Sequence, residues 1–286
     1  MRILVTGGTG HLGTRIVSGL QADGHQVRVL ARRPRPDPDV EWVTGDLSTG
    51  EGIRDAVADM DAIIHAATNS PAAQRGRFKL RDFIASPSDV DVDGTRALLA
   101  AAEQARVEHF LHVSIVGLET LRALPYSRRK LMAEQLVRES RVPWSIVRAT
   151  AFYWLLARMF GEMARRPLIA LPAYAEMAPV DSDEFAQFIV DGFAERRPGT
   201  REDFAGPQTL AMTELMAQYL SARTLPRRVH HAPLPKRIQT AITAGNTSAD
   251  ALCGTTTWAR WLQRSVSDAG AESSVAAIAP RSAAVR

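Results

Sequence analysis

The chain has 286 residues, 45% hydrophobic and 23% charged, with 35 Lys and Arg against 31 Asp and Glu for a formal net charge of +4. This profile excludes a disordered chain, a fibre and a small disulfide scaffold, and the length suits one large domain or two small ones. The single cysteine, Cys253, cannot form an internal bridge, and no apolar run approaches the roughly 18 residues that span a bilayer.

Taken in chain order, Arg2–Val5 is an apolar strand ending in Gly7-Gly8-Thr9-Gly10. Gly13–Asp23 reads as a helix with Ile16, Val17 and Leu20 on one face and Gly24 as its stop. Strands follow at Gln26–Ala31 and Val40–Val43, then the turn Gly45-Asp46-Leu47, a helix over Gly50–Met60 and a buried strand, Ala62–Ala66. Further on come a helix Asp91–Arg106, a strand Phe110–Ser114, a helix Tyr126–Ser140 and a strand Trp144–Val147. This alternation predicts an α/β fold, a doubly wound parallel sheet of Rossmann type over residues 1–150. Thr68–Asp89 is an insert of about 20 residues, long for such a connection and suited to a substrate lid. After Thr150 the rhythm loosens into helices at Ala151–Arg165, Asp183–Glu195 and Met212–Ala222 with short strands between. Residues 151–264 are therefore expected to form a small C-terminal substrate or cap region interwoven with the core, and 265–286 a disordered tail.

The opening MRILVTGGTG turns glycine-rich at once, unlike a secretory signal, so a cytoplasmic location without a membrane partner is expected. The longest basic block is Arg128-Arg129-Lys130, too short to mark a nucleic-acid stripe, and no nucleic-acid partner is expected.

Gly7-x-x-Gly10-x-x-Gly13 joins the first strand to the first helix. One glycine permits the tight turn, one lets a pyrophosphate approach the backbone, and one lets helix and strand pack closely. The helix start then offers unpaired N–H groups to phosphate. An acid at the end of the second strand would select NAD by bonding the ribose 2′-OH. Here Ala31-Arg32-Arg33 stand there instead, and a guanidinium pair suits the 2′-phosphate of NADP(H).

Tyr126 and Lys130 lie four apart, on one helix face, at the start of the helix after the Ser114 strand. This is a chemistry for carbonyl reduction. Hydride addition leaves an alkoxide that a positioned acid must protonate. Tyr126 would be that acid, Lys130 would lower its pKa and hold the nicotinamide ribose, and Ser114 would polarise the substrate oxygen. The alternative is a surface lysine and a half-buried tyrosine on an amphipathic helix. Phe152-Tyr153-Trp154 follows the Trp144 strand at the sheet edge. It reads equally as helix core or as a wall for a flat, apolar or aromatic substrate. His109 and His112 would face opposite sides of a strand, and neither they nor His230-His231 have a Cys or acidic cluster to complete a metal site, so no metal is expected. Cys253 has no neighbouring base in the sequence to make it a nucleophile.

Thr6-Gly-Gly-Thr-Gly-His-Leu-Gly13, Gly45-Asp46-Leu47, His65-Ala-Ala67, Asp93-Gly94-Thr95, Ser114 and Tyr126-x-x-x-Lys130 together resemble the short-chain dehydrogenase/reductases. His112-Val-Ser-Ile-Val-Gly117, Val142-Pro-Trp-Ser-Ile-Val-Arg-Ala-Thr150, Pro179-Val-Asp181 and Gly206-Pro207 resemble the atypical, NmrA-like branch of that family. The resemblance spans about residues 1–264. It implies that Gly7, Thr9, Gly10, His11, Leu12 and Gly13 hold the pyrophosphate, and that Asp46 and Leu47 border the adenine. It further implies that Ala66, Ala67 and Thr68 line the cofactor, that Ala149 and Phe152 lie by the nicotinamide, and that Ser114, Tyr126 and Lys130 match the catalytic triad. Leu118–Pro125 matches no pattern of the family, and Thr68–Asp89 is longer than its counterpart. The expected function is NADPH-dependent reduction of a ketone or quinone on a small organic molecule, for instance an aromatic, polyketide-like product. The alternatives are a non-catalytic NADP(H)-binding regulator, as in the namesake of the branch, or epimerase or dehydratase chemistry on sugars.

Overall fold

The computed structural model describes residues 1–35, 37–69, 89–193, 195 and 197–267. The lid expected over Thr68–Asp89 and the tail expected over 265–286 lie largely outside the described residues. The first half builds β1 (Arg2–Thr6), α1 (His11–Ala22), β2 (Gln26–Ala31), β3 (Glu41–Thr44), α2 (Ile53–Val57) and β4 (Ala62–His65). A single wide helical turn, Asp89–Gly94, leads into α3 (Thr95–Gln104). Then come β5 (His109–Ile115), α4 (Pro125–Glu139) and β6 (Trp144–Ala149). The second half adds α5 (Tyr153–Ala164), β7 (Ile169–Pro172), β8 (Glu176–Met177), α6 (Ser182–Asp191), β9 (Thr200–Ala205), β10 (Leu210–Ala211), α7 (Met212–Ala222), β11 (Val229–Ala232), α8 (Lys236–Ala244) and β12 (Leu252–Cys253). Residues 258–267 are helical.

Eight strands form one sheet in the order β12-β9-β6-β5-β4-β1-β2-β3, parallel throughout. The run β3-β2-β1-β4-β5-β6 is the doubly wound order, with its switch point between β1 and β4. Alternation along each strand sends side chains to opposite faces. On one face Ile3, Val5, Val29, Ile64 and Leu111 pack under α1 and α6, with Ile16, Leu20, Phe185 and Ile189. On the other, Leu4, Ile63, Phe110 and Ile146 pack under α2, α3 and α4. A third cluster closes the cap: Tyr153, Leu156 and Phe160 of α5 meet Leu215, Met216 and Tyr219 of α7 and Trp258.

The predicted helix Gly50–Met60 shortens to α2 because Gly50 and Gly52 both sit at positive φ, +83° and +71°, and turn the chain before the helix can start. The face under α4 holds the feature that places the site. Leu4, Ile63 and Phe110 are aligned across β1, β4 and β5. One step toward the carboxyl ends, the same face carries Thr6, His65 and His112, all buried. Ser114 and Arg148 lie one further step along, paired across β5 and β6. The core thus changes from apolar to polar where ligands bind in open α/β sheets.

Candidate active site

The glycine turn is fixed by backbone crowding. At Gly7 (φ +77°) an added Cβ would lie 2.7 Å from the Ala67 nitrogen and 2.8 Å from the Ala66 carbonyl. At Gly13 it would lie 2.1 Å from the Gly7 oxygen. The turn therefore presses against the residues that leave β4, and only hydrogen fits on its inner side. Gly10 precedes α1 with no side-chain cap, so the amides of the first turn are left for an external acceptor. These features fit a dinucleotide pyrophosphate, which Gly7–Gly13 would hold, with Thr9, His11 and Leu12 along the turn and Ala66, Ala67 and Thr68 beside it.

Around the turn, Arg32 and Arg33 are exposed beyond β2, while Arg35 donates to the Thr9 carbonyl at 2.8 Å. Arg35 was not singled out by the sequence, since it lies past a proline and outside the strand. Asp46 accepts from the Ser48 amide and hydroxyl, both at 2.8 Å. Burial raises the Asp46 carboxyl, but Ser48 and the nearby Arg32 charge bring it net below the ordinary carboxylate range. Leu47 is buried under Gly94, where a Cβ would meet the Leu47 oxygen at 2.8 Å.

Lys130 and Tyr126 project from the first turns of α4, which opens on Pro125. The Lys130 ammonium is buried and bonds Asp91 at 2.7 Å. Asp91 also accepts from the Thr68 hydroxyl at 2.8 Å and the Asn69 amide at 3.2 Å. The Thr68 side chain acts on the Tyr126 phenol electrostatically, pulling its pKa down. One relay, Thr68–Asp91–Lys130, therefore ties α4 to the chain leaving β4. Its electrostatics differ from the sequence expectation. Burial pushes the Tyr126 pKa up, the Lys130 charge pulls it down, the Asp91 charge pushes it back, and the net shift is upward. Lys130 is lowered by burial but raised more by Asp91 and Tyr126, and stays charged. Asp91 is raised by burial and brought net down by Lys130 and the Thr68 and Asn69 bonds. Lys130 does not turn Tyr126 into a ready phenolate, because burial of the phenol, joined by the Asp91 charge, outweighs its pull.

Ser114 is also engaged. Its hydroxyl donates to Glu134 at 2.6 Å. Arg148 donates to the same Glu134 oxygen at 2.7 Å and to both oxygens of Glu119 at 2.8 and 3.2 Å. A carboxylate is a stronger acceptor than a carbonyl, so the Ser114 proton is committed to α4 rather than free for a substrate oxygen. Burial lowers the Arg148 pKa, but the Glu134 and Glu119 bonds outweigh it and leave the guanidinium firmly charged. Nearby, His65 bridges Thr6 at 2.6 Å and Thr95 at 2.9 Å, while the Thr95 hydroxyl donates to the Asp91 carbonyl. The Thr95 proton being used, His65 donates from Nε2 and accepts at Nδ1. Burial, then the Lys130 charge, against a smaller opposing pull from Asp91, lowers its pKa to about 3. His112 is held far below its usual value, first by burial, then by His65, Lys130 and Arg148.

The aromatic run divides. Tyr153 is core: it is 1% exposed, its phenol donates to the Thr256 carbonyl at 2.8 Å, and its ring lies against Trp258 and Trp261. It offers no surface to a substrate, because position 153 of α5 points into the cap. Phe152 bridges to Val180 and packs on Phe185. Trp154 stacks on His11 with ring centroids 4.4 Å apart, directly beside the glycine turn. Ala149 is buried at the end of β6, where its carbonyl accepts from Val116. His109 bonds Ser145 at 2.9 Å, on the opposite face from His112. Among the described residues, no three His, Cys, Asp or Glu gather as a metal site. No helix among them is long and apolar enough to cross a membrane.

Sequence reading did not single out Asp91, Glu134 and Glu119, and it met His65 and Arg148 only inside longer motifs. Asp91 stood two residues before the Asp93-Gly94-Thr95 motif and was within its reach.

Residues 7–154 match the NAD(P)H-binding family. Photosystem II assembly factor Ycf39 of Cyanophora paradoxa is 33% identical over 158 residues, 54% of this chain and 46% of that protein. The (4-alkanoyl-5-oxo-2,5-dihydrofuran-3-yl)methyl phosphate reductase of Streptomyces griseus is 32% identical over 223 residues, 76% of this chain and 72% of that protein. In general the chain spans about half the length of the curated relatives it matches, 46%, 59% and 42% in three cases. Among solved structures, UDP-glucose 4-epimerase of Thermotoga maritima superposes with a TM-score of 0.73 at 16% identity, over 95% of this chain and 99% of that one, which is a likeness of fold. The glycine turn, the doubly wound sheet and these matches together make the chain a member of the NAD(P)H-binding family.

Proposed function

We propose that the protein is an NADPH-dependent reductase of a ketone or quinone on a small organic molecule. The observation that carries this reading is the short path from the turn to the Tyr–Lys pair. Gly7 lies against Ala66 and Ala67, and the next residue, Thr68, donates to Asp91, which holds Lys130 one helical turn from Tyr126. A nicotinamide cofactor, when bound, supplies a hydride to the carbonyl carbon. Tyr126 gives its phenolic proton to the carbonyl oxygen, and its raised pKa keeps that proton in place at neutral pH. Lys130, kept charged by Asp91, stabilises the transient phenolate and is the candidate ribose holder. Ser114 supports α4 through Glu134 rather than donating to substrate. Phe152 and Trp154 remain candidates for an apolar wall; Tyr153 does not. Arg32 and Arg33, with Arg35 added, favour the 2′-phosphate of NADP(H) over NAD.

A second reading is a non-catalytic NADP(H)-binding regulator. The bond between Lys130 and Asp91 favours it, because the ammonium already has a partner. The experiment that separates the two is NADPH absorbance decay over a panel of ketones and quinones. Tyr126→Phe should lower kcat by at least about 100-fold, the range of a lost general acid, with nucleotide affinity unchanged. An unaltered rate removes Tyr126 from the chemistry. Tight nucleotide binding without turnover across the panel favours the regulator. In the same assay Arg32→Ala and Arg35→Ala should each narrow the preference for NADPH over NADH.

A further inference from the structure

Residues 163–175 and 215–249 contain no acidic residue. They hold Arg165, Arg166, Arg223, Arg227, Arg228, Lys236 and Arg237, seven of the 35 Lys and Arg, which leaves 28 basic against 31 acidic residues elsewhere. The fold brings them together. β11 lies parallel along β7, pairing His230 with Ala170. Arg227 donates to the carbonyls of Arg166 and Pro167. Gln239 of α8 accepts from the Tyr174 amide at 2.7 Å and donates to the Leu234 carbonyl at 2.8 Å, which fixes the first turns of α8 beside the turn after β7.

The product is one rim of the cap, on which Arg166, Arg227, Arg228, Lys236 and Arg237 are exposed. None of these five forms an ion pair with a carboxylate among the described residues, whereas Arg165 pairs with Glu162. Exposed apolar side chains stand between them: Tyr174 at 77%, Leu168 at 60%, and Leu225, Leu234 and Ile238. Exposed apolar groups set among unpaired cations, with Glu176 the carboxylate beside α8, form a candidate interaction surface.

We propose that this rim docks on an anionic lipid bilayer. Its cations would meet headgroup phosphates, and Leu168, Tyr174, Leu234 and Ile238 would enter the boundary between headgroups and acyl chains. Aliphatic side chains among the cations favour a bilayer over a single-stranded nucleic acid, whose binding surfaces use aromatic stacking; Tyr174 is the only aromatic among the five exposed apolar groups named here. The residues from 268 onward have two carboxylates, Asp268 and Glu272, against Arg281 and Arg286, so their side chains carry no excess negative charge with which to cover the rim. With no spanning helix among the described residues, the association is peripheral. It departs from the sequence expectation of no membrane partner, which rested on the lack of a spanning run.

The test is cosedimentation of the full chain with vesicles of phosphatidylglycerol and phosphatidylcholine, against phosphatidylcholine alone. Binding should be at least about tenfold stronger to the anionic vesicles and should fall as salt shortens the Debye length from about 10 Å at 0.1 M to about 3 Å at 1 M. Each cation near such a surface contributes a factor of about five, so Arg228→Ser with Lys236→Ser should weaken binding about 25-fold. Leu168→Ser with Ile238→Ser should remove binding that survives salt. Nucleotide affinity and the thermal midpoint of these variants report that the fold is intact. Equal binding to both vesicle types, no binding, or indifference to the substitutions overturns the proposal. So does duplex DNA that binds through the same arginines and competes with the vesicles.

Discussion

The glycine turn and the charged cluster beneath α4 lie on either side of Ala66–Thr68, yet they are made in opposite ways. The turn is local: seven consecutive residues, backbone contacts, and an inner surface where hydrogen alone fits at Gly13. The cluster is collected from Thr68, Asp91, Ser114, Tyr126, Lys130, Glu134 and Arg148, and it exists because each charge has a partner. A turn of this kind fails by steric displacement. A cluster of this kind fails by leaving a charge alone in a low-dielectric interior.

The largest effect should come from breaking the cluster. Lys130→Met leaves the Asp91 carboxylate buried without its cation and should cost about 3–5 kcal/mol in urea unfolding. Adding Asp91→Asn should restore part of that loss, and a double variant no better than the single one would mean the two groups do not act as a pair. The turn should break differently. Gly13→Ala places a methyl on the Gly7 carbonyl and should weaken NADPH binding about 100-fold, about 2.7 kcal/mol, as followed by nucleotide fluorescence. Unchanged affinity would remove the turn from the binding site. The gentlest probe is acid. His65 and His112 are buried and neutral, with native pKa values far below the ordinary 6.5. The unfolded chain binds protons there first, so their contribution is complete above about pH 6.5 and is lost as pH falls toward the native values. At pH 5 each buried imidazole should have cost about 2 kcal/mol, and a flat urea midpoint between pH 7.5 and 5 would contradict the neutral assignment.

The same contrast explains what could be read from the sequence. β1, α1 and β2 were legible because apolar period and glycine spacing are local signals, and the doubly wound order follows from strand–helix alternation. Tyr126 and Lys130 were legible because they share a helix turn. Their electrostatics were not, since the charge that balances Lys130 arrives from Asp91 on another element. Ser114 was placed at the right strand end, but the acceptor of its proton, Glu134, is twenty residues further on. Arg148, 2% exposed, reads in sequence like any surface arginine. Tyr153 shows the converse: an aromatic in an apolar helix fits a core or a pocket equally well until Trp258, far along the chain, is seen to cover it.

β9 pairs directly with β6, and β12 completes the sheet outside it. During synthesis, β6 therefore emerges from the ribosome with one row of peptide groups unmatched, and stays so until Thr200–Ala205 has been translated. A fragment stopped at Ala149 would present that row to solvent and to its own copies. The nascent chain thus has a built-in interval in which a chaperone or a neighbouring strand can compete for the edge, and a library of C-terminal truncations should pass from aggregated to dispersed only once β9 is included.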